Sequence, residues 1–215
     1  MEQTRSFHIV HLGCAKNLYD AEIMAGALSS DGWEERNSPA EARVILINSC
    51  GFIEPAQTET IETTFEYLSA YPTAQVVMTG CLAQRYAGEI SEDMPELAGV
   101  FGNRRPERIA EFLDQVLSGD GREGGGAPRM VPDGEPPWHG GAAFRPRLYT
   151  PPGTAHLKIA EGCTHNCAFC AIPQIRGTLR SRPVEAIVRE FRALLDRGIR
   201  EVNLIAQDLS LLGLD

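Results

Sequence analysis

The stretch FHIVHLGCAKNLYDAEIMAGALSSDG, Phe7 to Gly32, sets an apolar run, a cysteine and a helical pattern in that order. FHIVHLG reads as a buried strand. Leu18, Ile23, Ala27 and Leu28 then recur at helical spacing, and Gly32 is a stop. The order repeats along the chain. RVILIN (Arg43 to Asn48) precedes EPAQTETIETTFEYLSAY, and QVVMTG (Gln75 to Gly80) precedes LAQRYAGEI. A short AGVFG precedes PERIAEFLDQVL, with Pro106 in the first helical turn, where its missing N–H costs nothing. Strands alternating with helices predict an α/β fold around a parallel sheet covered on both faces.

From Ser118 to about Arg147 the chain turns dense in Gly and Pro and sustains neither period, so it reads as a linker with Trp138 as a local anchor. The βα pattern then resumes. AHLKIAEG (Ala155 to Gly162) is a strand, and PVEAIVREFRALLDRG a helix between Pro183 and Gly198. Its Val184, Ile187, Val188, Phe191, Leu194 and Leu195 share one face, of which Val184, Ile187 and Phe191 are expected to be under-covered, and IREVNLIA is the next strand. The expected organisation is a Rossmann- or flavodoxin-like domain over 1–117, a linker over 118–149, and the first βα units of a partial (β/α) barrel over 150–215.

The 215 residues, 43% hydrophobic, suffice for a core. A formal net charge of −9 gives no overall basic field to draw in nucleic acid. The opening MEQTRSFHIVHLG lacks the basic and apolar regions of a signal peptide, and no apolar run approaches the ~20 residues of a membrane span. The expectation is a cytoplasmic protein whose six cysteines serve metal or redox chemistry rather than disulfides.

Three of those cysteines, Cys14, Cys50 and Cys81, each follow a predicted strand: HIVHLGC, VILINSC and VVMTGC. In a parallel sheet these strand ends share one edge, where open α/β folds place their ligands. Each alone could be a small buried hydrophobe. All three at equivalent positions point to a shared metal or cluster site.

The other three lie in EGCTHNCAFCAIPQIRGTLRSRP, Glu161 to Pro183, as C-x3-C-x2-C: Cys163, Cys167 and Cys170. Zinc with His165 or His156 as fourth ligand is one reading, although CTHNC makes His165 a tight reach and structural zinc sites usually use separated cysteine pairs. An iron–sulfur cluster is the other. Three thiolates leave one iron with an open position where a substrate or cofactor can bind.

C-x3-C-x2-C after a strand, with Phe169 before the last cysteine, closely resembles the signature of radical S-adenosylmethionine enzymes. Together with the second cysteine set and the preceding α/β domain, KIAEGCTHNCAFCAIPQIRGTLRSRP resembles the methylthiotransferase family. LGCAKNLYDAE (Leu12 to Glu22) and LIAQD (Leu204 to Asp208) read like its ribosomal-protein branch. The tRNA branch tends to carry Gln-Met-Asn after the first cysteine. The resemblance implies two [4Fe–4S] clusters, on Cys14, Cys50 and Cys81 and on Cys163, Cys167 and Cys170, with two uses of S-adenosylmethionine. One molecule methylates sulfur at the first cluster; the other, cleaved at the second, gives a radical that takes hydrogen from an aspartate β-carbon. The implied substrate is the twelfth protein of the small ribosomal subunit, with an electron donor as a further partner. Nucleic-acid contact is not expected from this portion.

Phe169 is then expected near the adenine, and Gln207 and Asp208 are cofactor or substrate candidates at the ligand-binding end of a barrel strand. Asp208 and Asn17 are equally natural helix caps. Lys16 and Asn17 are candidates to line the first cluster. Arg176, Arg180 and Arg182 read as a solvated loop or a carboxylate clamp, and His156 departs from the family's usual aromatic. The family continues through further βα units and a small β-barrel, so the chain is expected to be a fragment whose last segment is loosely held. The competing readings are a tRNA adenosine 2-methylthiotransferase and a zinc-stabilised binding module.

Overall fold

A computed structural model describes residues 5–119, 126–132, 138, 145–165 and 167–215. The strands are β1 (Ser6–His11), β2 (Glu34–Glu35), β3 (Val44–Ser49), β4 (Gln75–Gly80), β5 (Gly99–Gly102), β6 (Arg129–Met130), β7 (Thr154–Lys158), β8 (Ala160–Glu161), β9 (Arg180–Ser181) and β10 (Glu201–Ile205). The α-helices are α1 (Ala15–Ser30), α2 (Glu54–Ala70), α3 (Cys81–Arg85), α4 (Ala87–Asp93), α5 (Ile109–Ser118), α6 (Ile172–Arg176) and α7 (Val184–Asp196).

The first six strands form one parallel sheet in the order β2-β1-β3-β4-β5-β6. Its first five positions follow the flavodoxin-like order, whose switch point lies between β1 and β3. β3 is central and buried throughout, as its unbroken VILI run requires. Its side chains alternate across the sheet. Val44 and Leu46 pack with Phe7, Val77 and Phe101 under Met24 and Leu28 of α1 and Phe112 of α5. Ile45 and Ile47 pack with Val76, Met78 and Val100 against Leu82 and Ile90 on the opposite face.

Part of the segment expected to be an irregular linker instead adds a strand. β6 extends the sheet by pairing with β5, and Ala127 is buried beside it. Trp138 is half-buried, with the Arg180 guanidinium 5.1 Å from its ring centre.

In the second half β7 pairs in parallel with β10, and β8 pairs antiparallel with β9. The apolar face of α7 is covered only in part: Leu194 is buried with Ala186 and Glu190, while Val184, Val188, Phe191 and Leu195 are exposed. Glu190 is drawn inward by the buried guanidinium groups of Arg145 and Arg182.

The two halves are joined through α1. Nearly every residue from Asn17 to Leu28 is buried, because α1 packs against α5 on one side and β7 on the other. The last segment is docked on the first half through buried charge. Among the described residues, no helix is long and apolar enough to cross a membrane.

Candidate functional site at the sheet edge

Cys14 follows β1, Cys50 follows β3 and Cys81 follows β4, three adjacent strands. The register aligns His11 with Asn48, Asn48 with Thr79 and Ser49 with Gly80, so all three cysteines sit on one rim of the sheet. Glycine precedes Cys14, Cys81 and Cys163. Gly80 has φ +94°, and a Cβ there would stand 2.5 Å from the Ser49 carbonyl oxygen. Gly162 has φ +73°, and its Cβ would stand 2.0 Å from that of Thr178. Side chains at either place would push the cysteine loop outward.

All six cysteines are free: Cys81 is buried, Cys50, Cys163 and Cys170 half-buried, and Cys14 and Cys167 exposed. Among the described residues, no three His, Cys, Asp or Glu side chains converge on one point as metal ligands do. The sulfurs share a rim rather than a centre. The chemistry of the donors still favours a thiophilic group, because each set offers three thiols. The Nε2 of His165 lies 3.5 Å from Oδ2 of Asp208.

The C-x3-C-x2-C loop is brought to this rim by α6. Ala171 and Ile175, just past Cys170, pack directly on Cys81. Arg104, after β5, clamps the same turn by donating to the Gln174 carbonyl at 2.7 Å. The two cysteine sets, far apart in sequence, therefore face one region.

Around Cys81 the sequence candidates and several unforeseen residues meet. Of the two readings of Arg176, solvated loop or carboxylate clamp, the structure has the second: it is buried. Its guanidinium pairs with Asp20, donates to Oδ1 of Asn17, and lies 3.3 Å from the Cys81 sulfur. Asn103 Nδ2 donates to the same sulfur at 3.3 Å. Burial pushes the Cys81 thiol up, and the charge and hydrogen bond of Arg176 oppose that. Asn17 is no cap: its Nδ2 donates to the Ser49 carbonyl at 2.6 Å, tying α1 to β3.

Behind this point lies a second pair of buried charges. Lys158 Nζ stands 2.6 Å from both Asp20 and Glu161. Burial alone would lower its pKa, but the Asp20 and Glu161 carboxylates push it up to about 12. Further along α1, Arg145 bridges Glu22 and Glu190 and stacks 4.2 Å from the Tyr19 ring centre. Arg182 likewise clamps a carboxylate, buried against Glu190. A narrow cleft of about 30 Å³ lies between the halves, walled by Tyr19, Asp20, Asn103, Lys158, Glu161 and Arg176 among others.

Lys16 reaches across the junction from α1 to Oε1 of Gln207 and the Ala206 carbonyl. Gln207 is thus joined to the first cysteine set. Asp208 caps the turn that follows, accepting from the Ser210 N–H at 2.9 Å. Phe169 is 90% exposed, which excludes a core role. Arg180 faces Trp138 and lies away from Cys81, and His156 is half-buried, with its carbonyl oxygen accepting from Arg145. Asp20, Asn103, Lys158 and Glu161 were missed because nothing in their spacing marks them. The acidic and basic members could be found only as pairs across the junction.

Comparison with known proteins agrees with this geometry. Residues 6–102 match the uncharacterized protein family UPF0004, and residues 157–213 match the radical SAM superfamily. The chain is 42% identical to the ribosomal protein uS12 methylthiotransferase RimO of Syntrophus aciditrophicus, over 98% of this chain and 46% of that protein. It is 41% identical to the RimO of Heliobacterium modesticaldum, over 99% of this chain and 45% of that protein. It spans a little under half the length of these curated relatives. The radical S-adenosylmethionine methyltransferase TsrM from Kitasatospora setae shares the fold. The TM-score is 0.65 at 13% identity, covering 97% of this chain and 49% of that one. With both domain matches in order, and about two residues in five identical over nearly all of this chain, it belongs to the methylthiotransferase family of radical S-adenosylmethionine enzymes, in its RimO-type branch.

Proposed function

We propose that the chain carries the two-cluster core of an enzyme that adds a methylthio group to the β-carbon of an aspartate in ribosomal protein uS12. The observation that carries this reading is the packing of Ala171 and Ile175 on Cys81, which sets the second cysteine loop over the rim of the first. Methylthio transfer needs a radical-generating site and a sulfur-donating site at one substrate.

Cys14, Cys50 and Cys81 would hold one [4Fe–4S] cluster, and Cys163, Cys167 and Cys170 the other. With S-adenosylmethionine these groups supply one-electron chemistry and the methylated sulfur. The chain's own residues hold and orient. Gly80 and Gly162 set the cysteine loops, Arg176 and Asn103 hold the Cys81 sulfur, and Lys16 fixes Gln207 at the junction. Phe169, Gln207 and Asp208 are the proposed S-adenosylmethionine contacts. An electron donor is a required partner, and free thiols throughout fit a reducing cytoplasm.

The relatives' names favour ribosomal protein over tRNA as substrate. The test is anaerobic reconstitution with iron, sulfide, S-adenosylmethionine and a reductant. It is run on this chain alone and on the chain joined to the remaining portion of a RimO relative. An aspartate-containing uS12 peptide should gain a methylthio mass. Modification confined to tRNA, or none in either form, defeats the reading.

A further inference from the structure

Arg176 belongs to the second half of the molecule, yet it ends on a sulfur of the first cysteine set. It leaves the last turn of α6 and is 5% exposed. One side of the guanidinium is held by Asp20, and Glu161 lies 3.5 Å from Nη1. The other side donates to Asn17 Oδ1 and to Cys81 Sγ at 3.3 Å. Asn103 Nδ2 completes the arrangement with a second donor at 3.3 Å. Lys158 already pairs with both Asp20 and Glu161, so their charges do not depend on Arg176 alone. What Arg176 adds is a fixed cationic donor at the sulfur.

We propose that Arg176 and Asn103 are positioning residues that set the reduction potential of the cluster held by Cys14, Cys50 and Cys81, with Arg176 making that potential depend on docking of the other half. The inference rests on the cluster reading above. Hydrogen bonds and positive charge at a cluster's sulfur stabilise its reduced, more negative state and so raise the potential. Arg176 supplies both from across the junction, immediately after the C-x3-C-x2-C loop. Asn103 supplies the hydrogen bond alone, from its own half.

The experiment is an anaerobic potentiometric titration, followed by electron paramagnetic resonance, of the reconstituted Cys163→Ala chain, which keeps the N-terminal set intact. Three variants are added to that chain. Arg176→Lys keeps the charge but shortens the reach and loses the fork. Arg176→Met removes both charge and donor, while Lys158 still pairs with Asp20 and Glu161. Asn103→Ala removes the second donor and touches no buried ion pair. The expected result is a shift to more negative potential in each, largest in Arg176→Met. An unchanged potential in any of these chains that takes up iron, Asn103→Ala included, overturns the proposal. Failure of the parent Cys163→Ala chain to take up iron would instead defeat the cluster reading itself.

Discussion

Lys158, Arg145 and Arg176 are buried cations whose partners lie in another part of the chain, and their energetics decide how the halves stay together. Removing one partner of a buried ion pair leaves an unpaired charge in a poorly solvating site, at a cost of about 3–5 kcal/mol. Arg145→Ala should lose stability of that order in denaturant titration, because Glu22 then keeps only the Tyr149 N–H. A loss under 1 kcal/mol would mean the pair is solvated in solution. Lys158 adds a pH dependence. Its folded pKa, about 12, lies above its ordinary 10.5, so the contribution is complete below about pH 10.5 and vanishes as pH rises through 12. Unfolding free energy should fall by roughly 2 kcal/mol across that window, and Lys158→Met should flatten that part of the fall. The positions of the cysteines were legible in the sequence because each follows a strand or crowds into one loop. The burial of Arg176 and Arg182 was not. Their carboxylates, Asp20 and Glu190, lie on other elements, and a charged residue reads as solvated until its partner is placed beside it.

The helix α7 shows the same lesson in reverse. Its apolar stripe at helical spacing marks one face, and periodicity cannot say what that face meets. In this structure it is Ala186, Glu190 and Leu194 that pack inward, while Val188 and Phe191 are each 39% exposed. Leu194→Ala should therefore cost about 2–5 kcal/mol, and Phe191→Ser should change stability by less than about 0.5 kcal/mol. Thermal unfolding of the two variants checks this; a reversal of the order would show that Phe191, not Leu194, is the buried end of that face. The sheet was more legible than the helix. Four of its strands, β1, β3, β4 and β5, follow from apolar runs between helices. The sixth was hidden in a Gly/Pro-rich segment because a two-residue strand has no period to read.

Across the whole molecule, the chain's two halves behave as one body because α1 is shared. A protease site engineered between Gly119 and Arg145 should, once cut, leave the two pieces co-eluting in gel filtration at ordinary ionic strength. Separation on cleavage would mean that the Tyr19 hydrogen bond and the buried ion pairs of Asp20 and Glu22 with the second half do not form in solution. The central claim is that these halves bring two three-thiolate sites to one place for cluster chemistry. Its most direct test is anaerobic iron and sulfide analysis of the parent chain beside Cys14→Ala and Cys163→Ala. The account predicts iron and sulfide in equal amounts in the parent, with about half lost in each variant. Stoichiometric zinc with negligible iron in unoxidised protein would contradict it.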